Sequence, residues 1–416
     1  MDKKSYLFVT WEGGGNVPPV LGVAQRMIAR GHEVVVLSEP CLQATIEAIG
    51  AKFIPFEKHF TRTDRTLDII QDASAGPMNL ATFDNVIVGP AEDVAAETLT
   101  AIRANQVDVV VADLMMIGSM IAAEAAGKPC VVLFHMPEYL PGPNRPPGGF
   151  GLNPGKGALG RLRDLLLSKV FNRVTKPLLA QINRVRKLHN LASMTSFGDI
   201  YHRVDLRLLQ TNEVFDFPIS PPPPNLRYVG PVLDDPDWTG ETTAKLPGEK
   251  TEPLVVVSLS STFQNQRQAI DNAIVALSTL PVSGLVTLGP AMAKETFNAS
   301  RNTKVVPNLP HSKVFPHASV VVTHAGHGTV MKALAFGLPL VCLPMGRDQT
   351  DNAARIAYHG AGIKLSSKAR PADIARAITR VLSNPEFALN ARRLQAEIHK
   401  DLKTDKAVFE LENIPV

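Results

Sequence analysis

Sulfur and aromatic rings are scarce in this chain: three cysteines, two tryptophans and five tyrosines among 416 residues. Cys41, Cys130 and Cys342 lie far apart, so there is no Cys-x-x-Cys pair for zinc or redox chemistry. Each stands in or beside an apolar stretch, as a buried, reduced thiol does. No His-x-x-x-His spacing offers a metal site either. An excess of one charge is also missing: 43 Lys and Arg against 39 Asp and Glu leave +4, too little for a dedicated nucleic-acid binder. Long apolar runs are absent. The most apolar longer stretch, Val107 to Ala126, is broken by Asp108, Asp113 and Glu124, which argues against stable membrane insertion. The apolar run after Met1-Asp2-Lys3-Lys4 is too short for a secretion signal, so the expected location is the cytoplasm. With 45% hydrophobic and 20% charged residues the chain is not of disordered composition, and its length predicts two or three domains.

What is present is an alternation of short β-branched runs with amphipathic helical segments. Strands are expected at Tyr6–Thr10, Glu33–Leu37, Val107–Ala112 and Cys130–Phe134, and again at Leu254–Leu259, Gly284–Leu288, Val320–Thr323 and Leu340–Leu343. These runs are continuously apolar, as in parallel strands covered on both faces. Pro18-Pro19 can open a helix whose apolar face is Val20, Leu21, Ala24 and Ile28 and whose stop is Gly31. The pattern restarts near Glu252, which predicts two doubly wound halves. Residues 1–227 form the first, 228–251 a Pro/Gly/Asp/Thr-rich linker, and 252–393 the second. Pro221–Pro224 reads as stiff and extended. Met136 to Gly157 is a long Pro/Gly-rich loop leaving a carboxyl strand end, where open α/β sheets bind ligands. Lys156 to Leu191 reads as one or two basic helices, with Arg161, Arg163, Lys169, Arg173, Lys176, Arg184, Arg186 and Lys187. The expectation is a solvated helix face, the alternative a membrane-surface or anion-binding one.

Nucleotide and nucleophile motifs of other kinds fail. Gly155-Lys156 is followed by Gly157 rather than Ser or Thr, with Phe150 in place of the leading Gly, so there is no P-loop, and no Gly-x-Ser-x-Gly elbow occurs. Two glycine turns follow strands. Trp11-Glu12-Gly13-Gly14-Gly15-Asn16-Val17-Pro18-Pro19 is a tight turn open to either a structural or a ligand-binding role. Thr323-His324-Ala325-Gly326-His327-Gly328-Thr329 follows an apolar strand and opens an expected helix, Val330 to Phe336. The free N–H groups and positive dipole end of that helix suit a diphosphate, and His324 and Thr329 can add hydrogen bonds. Beyond lies a second strand and turn, Leu340 to Asn352. There Asp348 is either an N-cap or, with Gln349, a grip on sugar hydroxyls.

His324 to Asn352 resembles the nucleotide-sugar signature of the UDP-glycosyltransferase superfamily, carried by His324-Ala325-Gly326-His327-Gly328-Thr329, Gly337-Leu338-Pro339, Pro344, Asp348-Gln349 and Asn352. The first glycine turn, Arg30-Gly31-His32-Glu33-Val34 and Ser258-Leu259-Ser260-Ser261 are similar to family counterparts in order, and the bacterial antibiotic, macrolide and polyphenol enzymes look nearest. The resemblance implies an α/β glycosyltransferase-B fold, two Rossmann-like doubly wound parallel-sheet domains facing a cleft. The acceptor would lie on the N-terminal domain and the donor on the C-terminal one, with helices 394–416 crossing back. It implies inverting transfer without metal or other cofactor. The donor would be a UDP-sugar, glucose first, or a dTDP-sugar, and the acceptor a hydroxyl, phenolic by preference, of a hydrophobic small molecule. On the same footing, His324, Gly326, Gly328 and Thr329 would bind the diphosphate, Ser261 and Thr262 would line the facing loop, and Asp348 and Gln349 would hold the sugar.

Four positions depart from the family pattern. Asn16 stands where the catalytic His is implied and cannot take a proton. Val305-Val306-Pro307-Asn308 replaces the aromatic motif that stacks on the base. Lys332 replaces a ribose-binding Glu, and His327 a Trp. Asp113, at a carboxyl strand end, matches the Asp that orients the implied His and is the first candidate for the missing base, ahead of Glu12 and His135. His32, at the opposite edge, reads as structural. A sugar-nucleotide 2-epimerase and a non-catalytic sugar-nucleotide-binding partner are the competing readings. No motif specifies whether the protein is a homodimer.

Overall fold

The computed structural model describes residues 3–65, 83–142, 145–236, 239, 252–259, 261–262 and 264–416. The first sheet contains seven parallel strands, β1 (Ser5–Val9), β2 (Glu33–Ser38), β3 (Lys52–Pro55), β4 (Val109–Asp113), β5 (Cys130–Phe134), β6 (Leu206–Leu209) and β7 (Leu226–Tyr228), in the order β3-β2-β1-β4-β5-β6-β7. The second contains six, β8 (Leu254–Ser258), β9 (Ser283–Thr287), β10 (Thr303–Val306), β11 (Val320–Thr323), β12 (Leu340–Cys342) and β13 (Gly362–Lys364), in the order β10-β9-β8-β11-β12-β13. All of these pairings are parallel, so each sheet reverses direction of build at a switch point, β1/β4 and β8/β11, where a crevice opens at the carboxyl edge.

Helices cover both faces of each sheet, which is why the inner strands read as unbroken apolar runs. Along β1, Leu7 and Val9 pack into one core and Tyr6 and Phe8 into the other. Along β8, Val256 faces one core and Val255 and Val257 the opposite one. Full burial of a side chain of this kind stabilises by about 1.5–3 kcal/mol.

Five strands were not anticipated. β3, β7, β10 and β13 are edge strands with partly exposed residues. β6 is interior, but its apolar run is interrupted by the fully buried Arg207, whose charge is matched by Glu138 at 2.8 Å. Pro223 to Leu226 closes a turn rather than continuing an extended run, Leu226 N–H donating to Pro223 O. Of the expected linker, Tyr228 belongs to β7 and residues 229–236 pack into the molecule, while 237, 238 and 240–251 lie outside the described residues.

The chain's end returns to the first sheet, but later than expected at 394. Leu394 and Ile398, on helix Pro385–Leu402, pack in the second domain. Ala407, Val408, Leu411 and Ile414 pack against Tyr6 and Phe8. His32 holds this return structurally: its Nε2 is 3.2 Å from Glu412 Oε1 and its Nδ1 accepts from Lys4 N–H.

Candidate active site

The candidate residues of the first domain gather around Asp113, the last residue of β4 and fully buried. Its Oδ1 accepts from Met115 N–H at 2.9 Å, so it does not cap helix Ile117–Ala125. Its Oδ2 accepts from the Asn16 amide at 2.9 Å and faces the Thr10 hydroxyl at 3.4 Å. Asn16 sits at the N-cap of helix Val17–Ala29 without capping it. It also donates to Trp11 O at 2.8 Å and accepts from Gly13 N–H at 3.0 Å, pinning the glycine turn to Asp113. His135 follows β5 directly. Its Nδ1 lies 3.8 Å from Asp113 Oδ2 and, though buried, has no hydrogen-bond partner.

These contacts reorder the three candidate bases. Asp113 does not line the cleft, and both its oxygens are committed. Glu12 does not line it either; its carboxylate pairs with Arg65 Nε at 2.7 Å and accepts from Gly14 N–H. Burial pushes the Glu12 pKa up even against the Arg65 charge. His135 does line the cleft, as does Asn16.

In the second domain, helix His327–Ala335 begins three residues earlier than the expected Val330, with Gly326 as its N-cap. His327, Gly328 and Thr329 therefore form the first turn, where backbone N–H groups have no intrahelical partner. A Cβ on Gly326 would stand 2.5 Å from His324 Nε2, so only glycine lets the imidazole lie over the turn. Around Gly328 the corresponding space is empty. Burial, the largest influence, lowers the His324 pKa to about 4. His327 points elsewhere: its Nε2 is 3.2 Å from Gln210 O in the other half of the molecule. Asp348 is the N-cap residue of helix Gln349–Tyr358, but its side chain accepts from Asn352 at 2.6 Å instead of capping. The Gln349 amide oxygen holds the turn by accepting from Met345 and Gly346 N–H, and its nitrogen donates to Gln264.

The two sides face one cleft of about 310 Å³, with Ser261, Thr262, His324, Thr329, Asp348 and Gln349 along one wall. The walls nearer His135 are apolar or aromatic: Leu114, Phe134, Met136, Tyr139, Phe197 and Tyr201. The loops touch closely. Gly14 adopts φ +84°, and a Cβ there would stand 2.7 Å from Thr262 Cγ2. Among the described residues no group of three His, Cys, Asp or Glu is placed to hold a metal ion.

Residues 158–414 match the family described as UDP-glucoronosyl and UDP-glucosyl transferase, well over half of the chain. The chain belongs to this family. The 4'-demethylrebeccamycin synthase of Lentzea aerocolonigenes is 30% identical over 406 residues, covering 94% of each protein. The zeaxanthin glucosyltransferase of Pantoea ananas is 24% identical over 395 residues, 92% of this chain and 89% of that one. Among solved structures, the glycosyltransferase of kitacinnamycin (TM-score 0.75, 18% identity, 100% of both chains) shares the fold. So does the calicheamicin glycosyltransferase CalG4 (TM-score 0.75, 20% identity, 99% of this chain and 98% of that one). The fold is glycosyltransferase-B and the protein is a glycosyltransferase.

Three cleft residues of this glycosyltransferase escaped the sequence reading. Arg347, at φ +55°, reaches across to Gly13 O at 3.4 Å and brings a cation to the cleft beside Asp348. Its position between Gly346 and Asp348, in a turn already singled out, was the available signal. Asp235 enters from the expected linker and accepts from Lys332 Nζ at 2.8 Å and from Ser312 N–H. Burial opposes its ionisation, but the Lys332 charge wins and holds its carboxyl below the usual range. Lys332 thus carries a carboxylate into the cleft as its partner. His311 stacks on Phe315 with centroids 4.4 Å apart and meets Ser258 Oγ at 2.9 Å; nothing in its local sequence marked it.

Proposed function

We propose that this glycosyltransferase moves a sugar, with inversion and without metal, from a nucleoside diphosphate sugar to a hydroxyl of a hydrophobic small molecule. UDP-glucose is the first donor to try and a dTDP-sugar the second. The observation that carries the reading is a helix N-terminus with His324 above it, facing across one cleft an imidazole backed by a buried carboxylate. The apolar walls near His135 suit a natural-product acceptor, in keeping with a relative named for zeaxanthin.

The chemistry balances on the residues present. The acceptor oxygen forms a bond to the sugar's anomeric carbon as the bond from that carbon to the diphosphate breaks. The acceptor proton passes to His135, with Nδ1–H turned to Asp113 and Nε2 to the cleft. Asp113 acts as a positioning residue that stabilises the imidazolium, and Asn16 holds Asp113 in place. The departing diphosphate gains charge where the N–H groups of residues 327–329, His324 and Arg347 converge.

A panel of nucleotide sugars crossed with phenolic and aliphatic acceptors, read by mass spectrometry, tests the reading. Glycosides should form from at least one UDP- or dTDP-sugar; conversion of the donor sugar with no acceptor present would overturn it in favour of epimerisation. Two variants locate the donor. His324→Ala should weaken nucleotide binding by about 1.5–3 kcal/mol, the range for a hydrogen bond to a charged group. Equal affinities by calorimetry would remove His324 from the site. Asp348→Ala should cost turnover of the sugar donor more than affinity for free nucleotide, and parallel losses would place Asp348 on the nucleotide instead.

A further inference from the structure

Helix Gly157–Val174 does not present the solvated polar face expected of it. Leu159, Leu162, Leu166 and Val170 follow at three- and four-residue spacing on one side, and all are exposed, Leu159 at 83%. Leu165 beside them is 58% exposed. The opposite side carries the residues that are buried, Asp164 and Phe171. The helix is thus inverted relative to a core-facing one, with its leucines outside.

The same region is strongly cationic. Residues 156–191 contain nine Lys and Arg and one Asp, +8 in a chain whose total is +4. Arg163, Arg184 and Arg186 are paired with Asp164, Glu92 and Glu124. Lys156, Arg161, Lys169, Arg173, Lys176 and Lys187 are exposed and have no ion-pair partner among the described residues. Lys169 and Arg173 continue the leucine face along the next turns, where long side chains can lay their stems on apolar surface and raise their charges into a polar layer.

We infer that this helix docks the protein on a membrane surface carrying anionic lipid. The leucines would sit at the boundary between headgroups and acyl chains and the free cations among the anionic headgroups. Charge complementarity selects this occupant. A second copy meeting the face across a two-fold axis would set these cations against themselves. A nucleic-acid backbone would satisfy the cations and leave the leucines in water. Among the described residues no helix is long and apolar enough to cross a membrane. The placement also reaches the cleft. Phe171 packs on Phe197, centroids 6.5 Å apart, and Phe197 lines the acceptor end. Resting on the proposed function, docking would bring that end within one helix and one ring of the layer in which hydrophobic acceptors dissolve.

Sedimentation of the whole protein with vesicles tests this, using phosphatidylcholine alone and equal parts of phosphatidylcholine and phosphatidylglycerol. Binding is expected to the anionic vesicles only, and to be reversed by salt of about 0.5 M, as screening requires. Each cation lost should weaken partitioning about fivefold. Lys169→Glu with Arg173→Glu should therefore weaken it by at least about 25-fold, and Leu162→Asp should also release the protein. Both variants should keep wild-type turnover of a water-soluble phenol without vesicles, so failed docking and a failed transferase reading are distinguishable. Wild-type protein that ignores vesicles, or binds both kinds equally and independently of salt, would overturn the inference. A dimer seen by light scattering and abolished by Leu162→Asp, without vesicle binding, would assign the face to a second copy. The salt dependence of the wild type decides the matter even if a variant folds poorly.

Discussion

His135→Ala should lower turnover by about 10²–10⁴-fold, some 3–5 kcal/mol of barrier, with nucleotide affinity unchanged. That is the contribution of a positioned base, and His135 alone of the three candidates lines the cleft, with its buried Nδ1 3.8 Å from Asp113 Oδ2. The effect of Asp113 is exerted through His135, so Asp113→Asn should also fall steeply, and the double variant should fall little further than either alone. Acceptor acidity supplies a second readout. A phenol, with a pKa near 10, needs less help than an alkyl alcohol. Across phenols of graded acidity the His135→Ala loss should therefore shrink as the phenol becomes more acidic. Asn16→His, which puts an imidazole directly against Asp113, should restore part of the lost turnover and favour alcohols. A wild-type rate indifferent to acceptor acidity, together with an active His135→Ala, would sink this assignment and leave the donor phosphate as the proton acceptor.

How much of this was legible follows from which residues act locally. Inner strands such as β1, β4, β8 and β11 announce themselves because burial on both faces demands an unbroken apolar run. The edge strands have one free side and no such demand. Arg207 conceals β6 because its charge is neutralised by Glu138, a residue 69 positions away that no window of sequence connects to it. The turn at residues 323–329 was legible because strand, glycine and helix N-terminus are contiguous. Asp113 and His135 were both legible as candidate bases, at carboxyl strand ends, but their proximity was not, since they stand at the ends of adjacent strands and meet only when β4 pairs with β5. Residues 157–174 show the limit of periodicity: the pattern marks an amphipathic helix but does not say which side faces water.

Breaking the ion pair between Asp216 and Arg355 should be the largest single loss of stability here, about 3–5 kcal/mol for Arg355→Met. Arg355 lies on helix Gln349–Tyr358 of the second domain, and its Nε and Nη2 donate to Asp216 Oδ1 at 2.9 and 2.7 Å. Both residues are buried, and Asp216 also accepts from Tyr228 Oη, Glu138 N–H and Phe217 N–H. Burial pushes the Asp216 carboxyl up, but the charges of Arg355 and Arg145, with these hydrogen bonds, bring it below its ordinary value. Stability from a carboxyl lowered in this way is complete above about pH 4, its unfolded value, and fades as pH falls further. Arg355→Met should forfeit it at neutral pH as well, because a buried carboxylate remains without the charge of its cation partner. Asp216→Asn strands the guanidinium in the same manner. The double variant removes both charges but keeps an acceptor for only one of the Glu138 and Phe217 N–H groups, which donate to different oxygens, so it should recover part of the loss in urea titrations; strictly additive single losses would show that the pair is not coupled. The same helix holds the loop of residues 136–157 through Asp351, which accepts from Gly149 and Gly151 N–H, and Arg355 donates to Glu138 O in that loop. Loosening it should raise the KM for acceptor more than it lowers kcat, because the loop shapes the apolar wall while His135 stays anchored at the end of β5.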